Sequence, residues 1–165
     1  MMNNTFYLRD ELGPQAHKDA TDYRIESSWF VDKVNKLFES EKNKYLGHWE
    51  HLNTHLTSVE SDDLEYQKGD NVLSLDSGRL IKSRFNGFND DFDRVYDEHK
   101  ELAVVDPRLR GLLQREVAAV FLPLYRNFYH SYSKIRFSKK HQNEYTKYSP
   151  YKIEEMLSDL YVEAE

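Results

Sequence analysis

A chain of 165 residues with a net charge of −6 is long enough for one domain with its own core, or for the end of a longer rod. Hydrophobic residues reach 39% and 12 residues are tyrosines, so the apolar surface is thin and partly aromatic, which favours the rod. With 0 cysteines the chain has no disulfide framework or thiolate zinc site and suits a reducing compartment, by default the cytoplasm; no apolar run approaches the roughly 18 residues of a membrane span, and no signal-peptide layout opens it.

Residues 1–12, MMNNTFYLRDEL, begin without a cap and place Met2, Phe6 and Leu8 on one helical face, so they read as the end of a helix whose start is missing. A fragment with such an opening is expected to be only marginally stable. Gly13 and Pro14 stop it, and 13–26 reads as a polar loop. Ser27 or Ser28 is placed to cap a long helix over 27–57, where Phe30, Val34, Leu37, Tyr45, Trp49, Leu52 and Leu56 keep helical spacing. Trp29 and Trp49 read as packing residues. The acidic, irregular stretch 58–76 is expected to be a mobile surface loop. Over 77–103, Ile81, Phe85, Phe88, Phe92, Val95, His99 and Leu102 alternate in steps of four and three, a heptad seam whose phenylalanines suit a bundle core.

Asp106 and Pro107 pair an N-cap with a first-turn proline and start a helix over 106–132. Leu109, Leu113, Val117, Val120, Leu124 and Phe128 form its expected core face. Pro123 removes the hydrogen bond to the Ala119 carbonyl, so a kink is expected there. After Tyr132 charge takes over. Between Arg126 and Lys152 the sequence carries seven cations against one acid, Glu144, so this stretch is +6 and the rest of the chain −12. The basic loop occupies 133–149, and Ser149 with Pro150 starts a final helix over 150–161 that buries Ile153, Met156, Leu157 and Leu160. Nothing reads as a strand. The fold class is all-α, built of long antiparallel helices as a terminal segment of a helical-bundle rod.

Constellations for chemistry are sparse. His48, His51 and His55 follow one helix edge at spacings of three and four, but there is no HExxH and they flank a core stripe, so they read as semi-buried packing residues with no metal. His99 occupies a seam position and reads as a hydrogen-bonded core histidine. Asp90 and Asp91 point to different helix faces and read as a solvated surface, not an acid and base pair. No phosphate loop, nucleophile elbow or dinucleotide fingerprint occurs, so no catalytic residue and no cofactor is expected.

The basic loop is the strongest functional feature. It fits a solvated charge run, an acidic protein partner, single-stranded nucleic acid stacked on Tyr132, Phe137, Tyr145, Tyr148 and Tyr151, or an anionic membrane. A rest-of-chain charge of −12 opposes a long polyanion, so no nucleic acid is expected, whereas a positive tip on an acidic rod touches anionic lipid while the rod points away.

Several motifs carry a family resemblance: the FNGF entry at Phe85 to Phe88 continuing to Phe92, the DPRLR helix start at Asp106, Pro123 with Tyr125 and Phe128, and the KYSP run from Lys147 to Pro150. With WFVDK and YLGHWEHL in the long helix and the Asn3, Asn4 pair, the sequence resembles the C-terminal end of the seventy-kilodalton subunit of the exocyst, the vesicle-tethering complex. The resemblance implies a rod of stacked helical bundles without catalytic activity that tethers secretory vesicles, in the cytoplasm and peripherally at the plasma membrane at sites of exocytosis. It also implies other exocyst subunits and a Rho-type small GTPase as partners, and phosphatidylinositol 4,5-bisphosphate binding through C-terminal basic residues. Carried over to this chain, those are Lys140 and Lys147, with Arg136 and Lys139 added by proximity and Lys134 and Lys152 as further basic contacts. Glu144 stands where the family commonly has a lysine or arginine. Two readings of other classes stay open: a protein-binding helical module without lipid contact, and a His-ligated metal enzyme.

Overall fold

A computed structural model describes residues 2–12, 24–57, 64–68 and 72–161. The expected loop at 13–26 lies outside the described residues up to position 23, and so do 58–63 and 69–71 of the expected acidic loop. The elements are α1 (Met2–Tyr7, continued by a π turn Leu8–Leu12), α2 (Arg24–Glu50, continued by a 3-10 turn His51–His55), α3 (Leu75–Lys100), α4 (Pro107–Tyr132), α5 (Gln142–Tyr145) and α6 (Pro150–Ser158). Among the described residues there are isolated bridges but no strand.

Cap chemistry sets the starts. Asp106 accepts from the backbone N–H groups of Arg108 at 2.7 Å and Leu109 at 3.3 Å, and Ser149 accepts from Lys152 at 3.1 Å, each with proline in the next position. α3 begins two residues before the expected 77 because Ser74 caps it, accepting from Ser77 N–H at 3.3 Å. α2 spans Arg24–Glu50, so Ser27 and Ser28 lie within the helix and not before it.

The α3 seam is buried at Ile81, Phe85, Phe88, Phe92, Val95 and His99, whereas Leu102 lies past the end of the helix at Lys100 and is exposed. Ring pairs define how α4 folds back on it: Phe85 meets Phe128 at 4.8 Å, Phe88 meets Tyr125 at 4.2 Å, and Phe92 meets Phe121 at 6.0 Å. Positions rising along α3 meet positions falling along α4, so the two helices run antiparallel. The same holds for α2 and α3, where Tyr45 meets His99 and Trp49 meets Phe92. Trp49 is fully buried, stacked on Phe121 at 6.1 Å.

Two expected stripes are corrected. On α4 the first half buries Leu109, Leu113 and Val117, and the second half buries Phe121, Leu122, Tyr125, Phe128 and Tyr132. At about 100° per residue these two sets lie roughly a quarter turn apart, so the core face rotates along the helix and leaves Val120 half-buried and Leu124 exposed. Among the described side chains of α2 the buried residues are Val34, Phe38, Leu46 and Trp49, while Trp29, Phe30 and Leu37 are exposed. Phe38 is selected over Leu37 by α1, whose Phe6 ring packs against it at 5.8 Å, with the Arg9 guanidinium 4.2 Å from the Phe38 ring centre. α4 is continuous through Pro123; that residue and Ala119 are both exposed, so the carbonyl the proline leaves unbonded faces solvent.

α6 packs along α4. Gln114 donates to the carbonyls of Ser158 and Leu160 at 2.7 and 2.9 Å, and Ile153, Leu157 and Leu160 are buried, with Met156 packed against them from a half-buried position. Tyr161 ends the chain's described part in the left-handed region at φ 66°, which costs about 1–2 kcal/mol for a non-glycine residue. Its ring is buried and its hydroxyl meets that of Tyr45, which fixes the end of α6 against α2.

Phe88→Ala removes the ring stacked on Tyr125 and is expected to cost about 3–5 kcal/mol in denaturant unfolding, whereas Leu124→Ala stays within about 0.5 kcal/mol. His99 gives a second check. Burial pushes its imidazole below the ordinary 6.5, outweighing the bond from Nδ1–H to the Val95 carbonyl at 2.6 Å, which favours the charged form. Between 6.5 and the lower folded value the unfolded chain binds more protons, so this contribution is complete above 6.5 and is lost as pH falls through the folded value. NMR titration of the ring should place its midpoint below 6.5, and His99→Gln should flatten the fall in stability over that window.

Candidate functional site

The basic segment is anchored before it is charged. Beyond Tyr132 the chain turns so that Ile135 is half-buried, Arg136 exposed and Phe137 buried. Phe137 stacks on Phe85 at 5.5 Å and meets Tyr145 edge-on at 5.9 Å. The Arg136 carbonyl accepts from Leu73 N–H at 3.1 Å, and Val72 and Leu73 are buried beneath it. That corrects the expectation that 58–76 is a mobile loop throughout: its described part, Leu64 to Lys68 and Val72 onward, contributes core residues and a backbone rail for the basic segment. Gly78 in α3 allows the approach, since a Cβ there would lie 3.1 Å from the Phe137 carbonyl oxygen.

The six expected cations fall into two groups. Lys134, Arg136, Lys139 and Lys140 are exposed, and none has an ion-pair partner among the described residues. Lys139 and Lys140 line a cleft of about 280 Å³ together with Lys82, Gly78 and His141. Lys82 joins this surface from α3 and was not legible as a site residue, because it lies far from the basic loop in sequence. Such a cluster can receive a multiply charged anion.

Lys147 differs. Its ammonium sits 2.6 Å from Asp93 Oδ2, and the hydrogen bond to Asp93 raises its pKa above the ordinary lysine value. Tyr148 donates to the other Asp93 oxygen at 2.5 Å, the Tyr125 hydroxyl donates to the Tyr148 carbonyl at 2.5 Å, and Asn89 donates to the Tyr145 carbonyl at 2.9 Å. The end of the basic segment is therefore bolted to α3 and α4. Lys152 is paired with Glu155 at 2.7 Å, and Glu144 accepts from or pairs with His141 at 2.7 Å, turned to that ring and not to a lysine. Among the aromatics that alternate with the charges, Tyr132 and Phe137 are buried, Tyr145 and Tyr148 half-buried, and Tyr151 exposed.

The histidine row separates. His48 turns to His99, with ring centres 5.6 Å apart, whereas His51 and His55 both meet Asp91. The expectation of a solvated Asp90, Asp91 face holds for exposed Asp90; Asp91 is drawn onto imidazoles presented by the 3-10 turn. Among the described residues no helix is long and apolar enough to cross a membrane.

Residues 1–159 match the family of the Exo70 exocyst complex subunit, C-terminal part. The chain belongs to that family. It is 29% identical over 98% of its length to exocyst complex component EXO70A1 of Arabidopsis thaliana, of which it covers 25%. It is 35% identical to exocyst complex component 7 of Drosophila melanogaster over 50% of its length and 12% of that protein. A solved structure of S. cerevisiae Exo70 superposes with a TM-score of 0.61 at 22% identity, covering 79% of this chain and 22% of that one, and a second Exo70p structure does so at 24% identity. The fold is thus the all-α arrangement of those structures, and the chain spans a quarter or less of the length of these relatives.

Asp93→Asn tests the bolt. Hydrogen exchange should accelerate at residues 145–149, which lose the Lys147 and Tyr148 contacts, while the seam around Phe88 keeps its protection.

Proposed function

We propose that this chain is the C-terminal rod segment of an exocyst subunit that tethers secretory vesicles at the plasma membrane during exocytosis, without catalysing a reaction. In this reading it binds phosphatidylinositol 4,5-bisphosphate peripherally, from the cytoplasmic side. Other exocyst subunits and a Rho-type small GTPase are the protein partners that the family membership suggests. The observation that carries the lipid reading is the row of exposed cations Lys134, Arg136, Lys139 and Lys140, without an ion-pair partner among the described residues, on a segment whose backbone is tied at Arg136 to Leu73 in an otherwise acidic chain.

In this reading the cations carry unequal weight. Arg136, Lys139 and Lys140 are the principal contacts, Lys134 and Lys82 add field, and Lys147 and Lys152 contribute less because Asp93 and Glu155 already neutralise them. Each free cation near an anionic surface is worth about 1 kcal/mol, or about fivefold in affinity. Binding of this size is useful alongside other contacts of a complex, and it weakens with salt.

Co-sedimentation with liposomes, with and without phosphatidylinositol 4,5-bisphosphate, tests this at physiological ionic strength. Lys139→Ala with Lys140→Ala should weaken binding about 25-fold, Lys147→Ala by less than about twofold, and Glu144→Lys should strengthen it. Wild-type binding unchanged by the double substitution would remove the basic loop as the lipid site. Failure of the wild type on both kinds of liposome would leave a helical protein-binding module.

A further inference from the structure

The meeting of His51, His55 and Asp91 lies outside the basic surface and its chemistry. Asp91 Oδ2 stands 2.7 Å from His55 Nε2 and 3.3 Å from His51 Nε2, and the three ligand atoms all lie within 4.8 Å of one another. Tetrahedral zinc, with nitrogen and oxygen ligands at about 2.0–2.1 Å, requires its ligand atoms about 3.4 Å apart. One pair has that spacing, and the others reach it with side-chain shifts of roughly an ångström.

Three features show that the arrangement is built. Gly87, in the interior of α3 where glycine is unfavourable, lies directly under the His55 ring: a Cβ there would fall 2.5 Å from Nδ1 and 2.6 Å from Cε1. The ring can approach α3 only because this position has no side chain. Arg94 donates to Asp91 Oδ1 at 3.0 Å and so leaves Oδ2 directed at both imidazoles, which is how an outer partner orients a ligating carboxylate. The His51 side chain is 58% exposed, so an ion has a path from solvent and a fourth position for water.

We propose that His51 Nε2, His55 Nε2 and Asp91 Oδ2 bind a divalent transition-metal ion, zinc foremost, which staples the end of α2 to α3. Two imidazoles and one carboxylate suit zinc, cobalt or nickel and disfavour magnesium and calcium, which want oxygen ligands. The nearby Arg94 charge opposes the cation and lowers the affinity.

The test uses the whole chain, stripped with chelator and dialysed. Cobalt titration should give visible d–d bands of a four-coordinate ion saturating at one equivalent, displaced by zinc, and zinc but not magnesium should raise the thermal midpoint. His51→Gln keeps the His55–Asp91 hydrogen bond and therefore the fold; it should weaken zinc at least tenfold and abolish the thermal shift, as should Asp91→Asn. His48→Gln, whose ring faces His99, should leave both unchanged. Gly87→Ala should weaken zinc by displacing the His55 ring. Absence of saturable binding of one ion by the wild type, or equal binding by His51→Gln, would overturn the site.

Discussion

The antiparallel aromatic contact between α3 and α4 is the constraint on which the other elements depend. Phe85, Phe88 and Phe92 meet Phe128, Tyr125 and Phe121 in strict order, and these large, rigid rings bury area with little rotamer entropy. Three neighbouring segments dock on rings of this set. Trp49 brings α2 to Phe121, Phe137 brings the basic segment to Phe85, and Tyr148 meets Phe92 edge-on at 5.4 Å. A shift of one helix past the other would therefore displace the core and the basic surface together.

That dependence explains how a run of charge becomes a surface with a shape. Alternation of Ile135, Arg136 and Phe137 against Val72 and Leu73 turns apolar side chains inward and leaves the arginine in solvent. Farther on, Asp93, Asn89 and Tyr125 take up backbone and side-chain groups of residues 145–148, which costs Lys147 its availability.

On the opposite register of α3, Asp91 is taken by histidines of the 3-10 turn. Neighbouring aspartates 90 and 91 thus have different surroundings, one solvated and one hydrogen-bonded to His55 and Arg94 with His51 close by, because consecutive helical positions diverge by about 100°. Gly87 carries the clearest sequence trace of this meeting, since a glycine within an otherwise regular amphipathic helix signals close approach of another group.

Helix starts at Asp106 and Ser149, the α3 seam from Ile81 to His99 and the all-α class were legible in the sequence, because caps and periodicity act within a turn or two of chain. The motifs around Phe85, Asp106 and Tyr125 also carried the family. Choices among neighbours were not legible: Phe38 over Leu37 follows from α1, and Tyr125 over Leu124 from the turn of the core face toward α3. Nor were the partners of charge, for Lys147 finds Asp93 at a separation of 54 residues and His55 finds Asp91 at 36. Chain order concentrates cations and imidazoles in particular stretches; which of them find a partner among the described residues is settled by the fold, because Coulomb and hydrogen-bond partners act through space over a few ångströms and chain order does not encode that distance.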